Sequence, residues 1–158
     1  EHGSFFALAD AEASAHLSLG VWQRGFERYQ QMLAHFERLA KSEPERADYQ
    51  RDLSVSYERM GDLYRALGQG EAARQAYESA LTIRERLAKS EPERVDYQIE
   101  LVVPYSRLGL TSTPPDRALL EKALAILLTL QEQGRLSPAD QPKIAALQQL
   151  LEGLDQQS

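Results

Sequence analysis

The sequence predicts an all-α protein, a solenoid of antiparallel helix pairs, and three observations carry that prediction. The fourteen-residue string ERLAKSEPERADYQ, Glu37 to Gln50, returns as ERLAKSEPERVDYQ, Glu85 to Gln98, with Ala47 against Val95 as the sole difference. A fixed period, here roughly 48 residues, marks stacked supersecondary units that bury a core only against their neighbours. Between the two strings, Leu53, Tyr57, Met60, Tyr64 and Leu67 recur at spacings of four and three, one face of an α-helix. The pattern stops at Gly68-Gln69-Gly70 and restarts with Ala73, Tyr77, Ala80, Ile83 and Leu87, which makes the unit a helix pair.

The repeats take their places in order. Repeat 1 spans 4–45. Its first helix, Ser4 to Leu19, carries Ala9, Ala13 and His16 where the middle repeat has Tyr57, Gly61 and Tyr64, as expected of a degenerate terminal helix. Its second helix compensates with Trp22, Phe26, Tyr29, Leu33 and Phe36. Repeat 2 spans 46–91, with its second helix expected from Glu71 to Ser90. The next helix is expected to start near Pro92, because proline is tolerated in a first helical turn. Ser42 with Glu45, and Ser90 with Glu93, match a capping-box spacing. Repeat 3 spans 92–134 and keeps Leu101, Tyr105, Leu108 and Gly109. Its second helix aligns LEKALAIL, from Leu120, with YESALTIR, from Tyr77, and the intervening loop region is five residues shorter. Pro104 lies inside the helical pattern and predicts a kink near Val102 or Val103. A capping helix over 137–155, carrying Ile144, Leu147, Leu150, Leu151 and Leu154, completes about seven helices.

Composition excludes several function classes. With 24 acidic against 18 basic residues, a net charge of −6, the chain lacks the footprint of a nucleic-acid or anionic-lipid binder. It has no cysteine, which removes disulfides, thiolate nucleophiles and cysteine zinc sites, and fits a reducing, cytoplasmic setting. No apolar stretch approaches the roughly 20 residues of a membrane span. The three histidines are scattered, and no catalytic or phosphate-binding fingerprint occurs, so neither enzyme activity, metal nor cofactor is expected. The start without Met points to a piece of a longer protein, with Glu1-His2-Gly3-Ser4 as a cloning remnant.

Tyr57, Met60-Gly61, Tyr64, Ala73, Tyr77 and Ala80 resemble the tetratricopeptide repeat in residue type and spacing. The family unit is shorter, at about 34 residues, and the extra length falls before the first helix motif and after the second. SALTIRERLAKSEPER, Ser79 to Arg94, is similar to the lengthened repeats of kinesin light chains and of large bacterial signalling proteins. The resemblance implies a right-handed α-solenoid that acts as a protein-protein interaction or sensor module of a larger bacterial multidomain protein.

In that family the first helices line a concave groove that receives an extended peptide or a partner helix. The resemblance maps the groove to Val55, Glu58, Arg59, Asp62 and Arg65 in repeat 2, to Val103, Ser106 and Arg107 in repeat 3, and to Ala7, Asp10, Ala11 and Ser14 in repeat 1. Arg59 and Arg107 occupy equivalent places, which predicts two guanidinium groups gripping carboxylates in one groove; alternatively Glu58 and Asp62 neutralise them. Val55 and Val103 stand where a carboxylate clamp for chaperone tails needs lysine, which argues against that ligand. The paired charged strings at 37–46 and 85–94 read as solvated helix flanks with pairs such as Glu37 with Lys41. Tyr57, Tyr64, Tyr77 and Tyr105 read as core. A rival reading makes the chain a self-associating homo-oligomer or autoinhibitory scaffold of a signalling or effector enzyme.

Overall fold

The computed structural model describes residues 22–157, and these form helices and connecting turns with no strand among them. Helix α1 spans Trp22–Ser42, α2 Ala47–Ala66, α3 Gly70–Ser90, α4 Val95–Ile99, α5 Val102–Thr111, α6 Arg117–Glu132 and α7 Gln141–Gln156. The first helix expected of repeat 1, Ser4 to Leu19, lies outside the described residues. The chain divides into two compact units, residues 1–80 and 81–158, with the boundary inside α3.

In the first unit α1 packs on α2. The buried face of α1 is Tyr29, Met32, Phe36 and Ala40. The expected stripe through Phe26 and Leu33 is only half-buried, so the face is rotated by about one residue and Met32 takes the centre. Leu53, Met60 and Leu63 of α2 and Ala73, Ala76, Tyr77 and Ala80 of α3 are buried in the core. Burying each large side chain of this set is worth about 1.5–3 kcal/mol. Two buried serines in α2 are satisfied locally: the Ser54 hydroxyl donates to the Arg51 carbonyl (2.6 Å) and the Ser56 hydroxyl to that of Asp52 (3.0 Å).

Helix α2 ends as the glycine predicts. Gly68 takes φ +76°, its amide bonds the Arg65 carbonyl (3.0 Å) and the Gln69 amide that of Tyr64 (2.9 Å), a Schellman closure. Gly134 ends α6 in the same way.

The twice-written string folds twice into one connector, but not as a capping box. Ser42 and Ser90 are the last residues of α1 and α3, and their hydroxyls donate back to the Leu39 and Leu87 carbonyls (3.0 and 2.7 Å). Pro44 and Pro92 lie in the turn rather than in a helix. That turn is closed by the Arg46 amide on the Glu43 carbonyl and the Arg94 amide on that of Glu91, both 3.0 Å, with proline at its favoured second position. Each following helix then starts at residue 47 or 95, behind an arginine. Arg46 forks onto Asp48 (2.9 and 2.7 Å) and lies 4.1 Å over the Tyr49 ring. Arg94 does the same with Asp96 and Tyr97, at the same distances. A fork that is also stacked is the pairing arginine suits better than lysine. The bond from Arg46 holds the Asp48 carboxyl below its ordinary range.

In the second unit α6 packs on α5 and α7, and α4 contacts α6. Leu120, Ala123, Leu127 and Leu130 of α6 form the buried stripe, against Leu101, Tyr105 and Leu108 on one side and Ile144, Leu147 and Leu151 on the other. The Arg117 guanidinium ties α6 to α7, donating to the Leu151 carbonyl (3.0 Å) and to the Asp155 carboxylate. Leu150, predicted on the apolar face, is 40 % exposed: neighbouring Leu150 and Leu151 cannot both point the same way from one helix.

Pro104 interrupts the predicted helix, with the break at Glu100 and Leu101, just before the expected Val102. Both residues keep right-handed helical dihedrals, φ −68°, ψ −12° and φ −75°, ψ −24°. A proline has no amide to give the carbonyl four residues earlier, here that of Glu100. Arg84, only 4 % exposed, donates to that carbonyl at 3.0 Å instead. The corresponding positions one period earlier hold Phe36, Asp52 and Ser56, where the serine has its own amide and hydroxyl for the Asp52 carbonyl.

One further contact recurs in both units. The Tyr57 hydroxyl donates to the Glu37 carboxylate (3.2 Å), and the Tyr105 hydroxyl to that of Glu85 (2.8 Å), so Glu37 turns to the tyrosine rather than to Lys41. Burial, with the bond to Glu85, pushes the Tyr105 phenol from 10.0 up to about 12. The fold therefore prefers the neutral phenol. Its contribution to stability is whole below pH 10.0 and is lost as the pH rises through about 12. Tyr105→Phe is expected to cost about 1 kcal/mol at neutral pH and to remove this alkaline loss, which denaturant unfolding across that pH range measures.

Candidate functional site

The groove residues assigned to repeat 3 come together. Val103, Ser106 and Arg107 of α5 line a cleft of about 210 Å³ whose opposite wall is α7, through Lys143, Ala146, Leu147 and Leu150. Val102 and Leu110 complete it. Their helical positions explain the convergence: 103, 106, 107 and 110 form one stripe of α5, and 143, 146, 147 and 150 one stripe of α7. Leu110 and Leu150, at 38 and 40 % exposure, are two of the three exposed large apolar side chains among the described residues.

Polar groups in the cleft are few. The Ser106 hydroxyl is committed to the Val102 carbonyl (2.7 Å). Lys143 pairs with Asp140 (2.7 Å), and the bonds from Lys143 and Ser137 hold the Asp140 carboxyl below its ordinary range. None of the described residues that line the cleft is acidic, although the chain carries −6 overall. The arrangement is an apolar trough with a guanidinium and an ammonium on its walls, suited to an apolar segment bearing a carboxylate.

The other predicted groove residues that the structure describes belong to the first unit, whereas this cleft belongs to the second. Val55, Glu58, Arg59 and Asp62 are half-buried on α2 and Arg65 is exposed there, all in the first unit. Arg59 and Arg107 belong to different units. Asp62 accepts a hydrogen bond from the Tyr77 hydroxyl (2.5 Å), which ties it to α3. Ala7, Asp10, Ala11 and Ser14 lie outside the described residues.

Comparison with protein-family models, with curated proteins and with solved structures finds no match in any of the three. The site is therefore read from its own chemistry. Among the described residues no cluster of three or more histidine or carboxylate side chains is placed to hold a metal ion, and no helix is long and apolar enough to cross a membrane.

The wall contributed by α7 was not legible as part of a site. Lys143, Ala146 and Leu150 sit in a segment whose leucines read as a cap for the preceding helix. The signal was the Leu150-Leu151 pair, since one of two adjacent leucines on a helix must face away from the other's core.

Proposed function

We propose that the chain is a protein-interaction module, a right-handed tetratricopeptide-like solenoid that belongs to a larger bacterial protein and binds an apolar, carboxylate-bearing peptide or helix between α5 and α7. The observation that carries the reading is the α5–α7 cleft itself, with exposed Leu110 and Leu150 on its rim and Arg107 and Lys143 on its walls. The duplicated helix motif and its resemblance to a peptide-binding repeat family support the same conclusion. The module acts by holding a partner, without catalysis of its own.

Leu110→Glu and Leu150→Glu test this, because both side chains already contact water and the substitutions leave the core intact. Each is expected to weaken partner retention by about tenfold, roughly 1.4 kcal/mol, in paired captures from host lysate with unchanged helicity. Retention of the same partner by both variants would refute the cleft. A concentration-dependent oligomer in light scattering, dissolved by the same substitutions, would reassign the cleft to self-association.

A further inference from the structure

The first unit carries a second hollow, about 230 Å³, lined by Leu33, Tyr57, Met60, Tyr64, Ala76 and Ser79 among others. Tyr57 and Tyr64 were expected in the core, yet both are only half-buried here, while Tyr77 and Tyr105 are buried. The difference between Tyr57 and Tyr105 has a visible origin. In the alignment that places Leu120 on Tyr77, Lys122 takes the position of Ser79. The Lys122 ammonium lies 5.7 Å from the centroid of the Tyr105 ring, within reach of a cation–π contact, and the Tyr105 hydroxyl binds Glu85. In the first unit the same tyrosine-carboxylate pair, Tyr57 with Glu37, is present, but Ser79 is too short to cover the ring, and its hydroxyl is committed to the Gln75 carbonyl (3.1 Å). None of the described residues that line the hollow is basic.

We propose that this hollow is a docking site for a lysine or arginine side chain presented by a protein partner. The aliphatic stem lies against Leu33 and Met60, and the cation meets the Tyr57 face, as Lys122 meets that of Tyr105 inside the chain, with the Glu37 carboxylate that binds the Tyr57 hydroxyl beside it. The negative net charge favours approach of such a segment. The site lies in the first unit and does not depend on the α5–α7 cleft.

The test follows the tyrosine ring resonances by NMR during titration with n-butylammonium, with n-butanol, and with a glycine-serine peptide carrying one central lysine or, as control, glutamine. Tyr57 and Tyr64 are expected to shift with butylammonium and the lysine peptide, and not with butanol or the glutamine peptide. Ser79→Lys, at the rim of the hollow, is expected to abolish both responses by supplying the side chain internally. Lys122→Ser is expected to create a response at Tyr105. No response in the wild type, equal responses to the neutral probes, or responses that persist in Ser79→Lys would overturn the proposal. A response to butylammonium without one to the lysine peptide would overturn the protein partner and leave a site for small cations.

Discussion

Arg84→Met is expected to lower the free energy of unfolding by about 2 kcal/mol, the cost of removing a charged donor from the part-buried Glu100 carbonyl, and to lose most of that effect when Pro104 is also replaced by alanine. Alanine at 104 restores the amide that an α-helix directs at the Glu100 carbonyl, so the guanidinium is no longer its needed donor. Denaturant unfolding of the four proteins, wild type, two singles and the double, gives the coupling directly, expected at about 1 kcal/mol or more. An equal cost for Arg84→Met in both backgrounds would show that Arg84 acts by packing alone. The repeat itself suggests a stricter version. Arg84→Phe together with Pro104→Ser copies the residues found at Phe36 and Ser56, and the pair is expected to be better tolerated than Arg84→Phe alone.

Gly61→Ala is expected to destabilise the protein by about 1–3 kcal/mol, whereas Gly153→Ala is expected to stabilise it by about 0.5–1 kcal/mol. A methyl group at residue 61 would stand 2.6 and 2.7 Å from two ring carbons of Tyr77. That ring is fully buried and anchored through its hydroxyl to Asp62, so it has little room to yield. At residue 153, inside α7, the same methyl would meet nothing within 4 Å, and only the backbone entropy of glycine remains to be recovered. Thermal or denaturant midpoints of the two variants should move in opposite directions. A neutral Gly61→Ala would mean that the contact between α2 and α3 is looser than the geometry requires.

The glycines show how much could be read from residues. Gly61 and Gly109 were legible as part of a helix motif, but the reason for them, an aromatic ring and Leu120 pressed against the backbone, needs the neighbouring helix. The helix boundaries at Gly68 and Gly134 were legible because a left-handed residue is a local requirement that glycine meets alone at little cost. The starts of α2 and α4 were misread. Ser and Glu at the right spacing signal a capping box, yet the serine closes the helix before it, and arginine, aspartate and tyrosine build the connector through side chains that no helical period relates. In the site, Val103, Ser106 and Arg107 were named from a family pattern and do line one cleft, while Lys143, Ala146, Leu147 and Leu150 were assigned to a cap.

By itself the sequence determined that the chain is helical, that its units recur at a fixed period and where most helices stop. These are local matters of period, propensity and backbone freedom, written into each segment without reference to any other. Tertiary structure decided the rest. Tyr105 is buried with Lys122 across from it, while its counterpart Tyr57, with Ser79 at that position, lines a hollow. Arg84 is a buried donor to the Glu100 carbonyl, which a proline in a later helix leaves without its amide. Such outcomes turn on side chains meeting across helices, and burial and hydrogen-bond satisfaction are properties of the meeting, not of either residue alone.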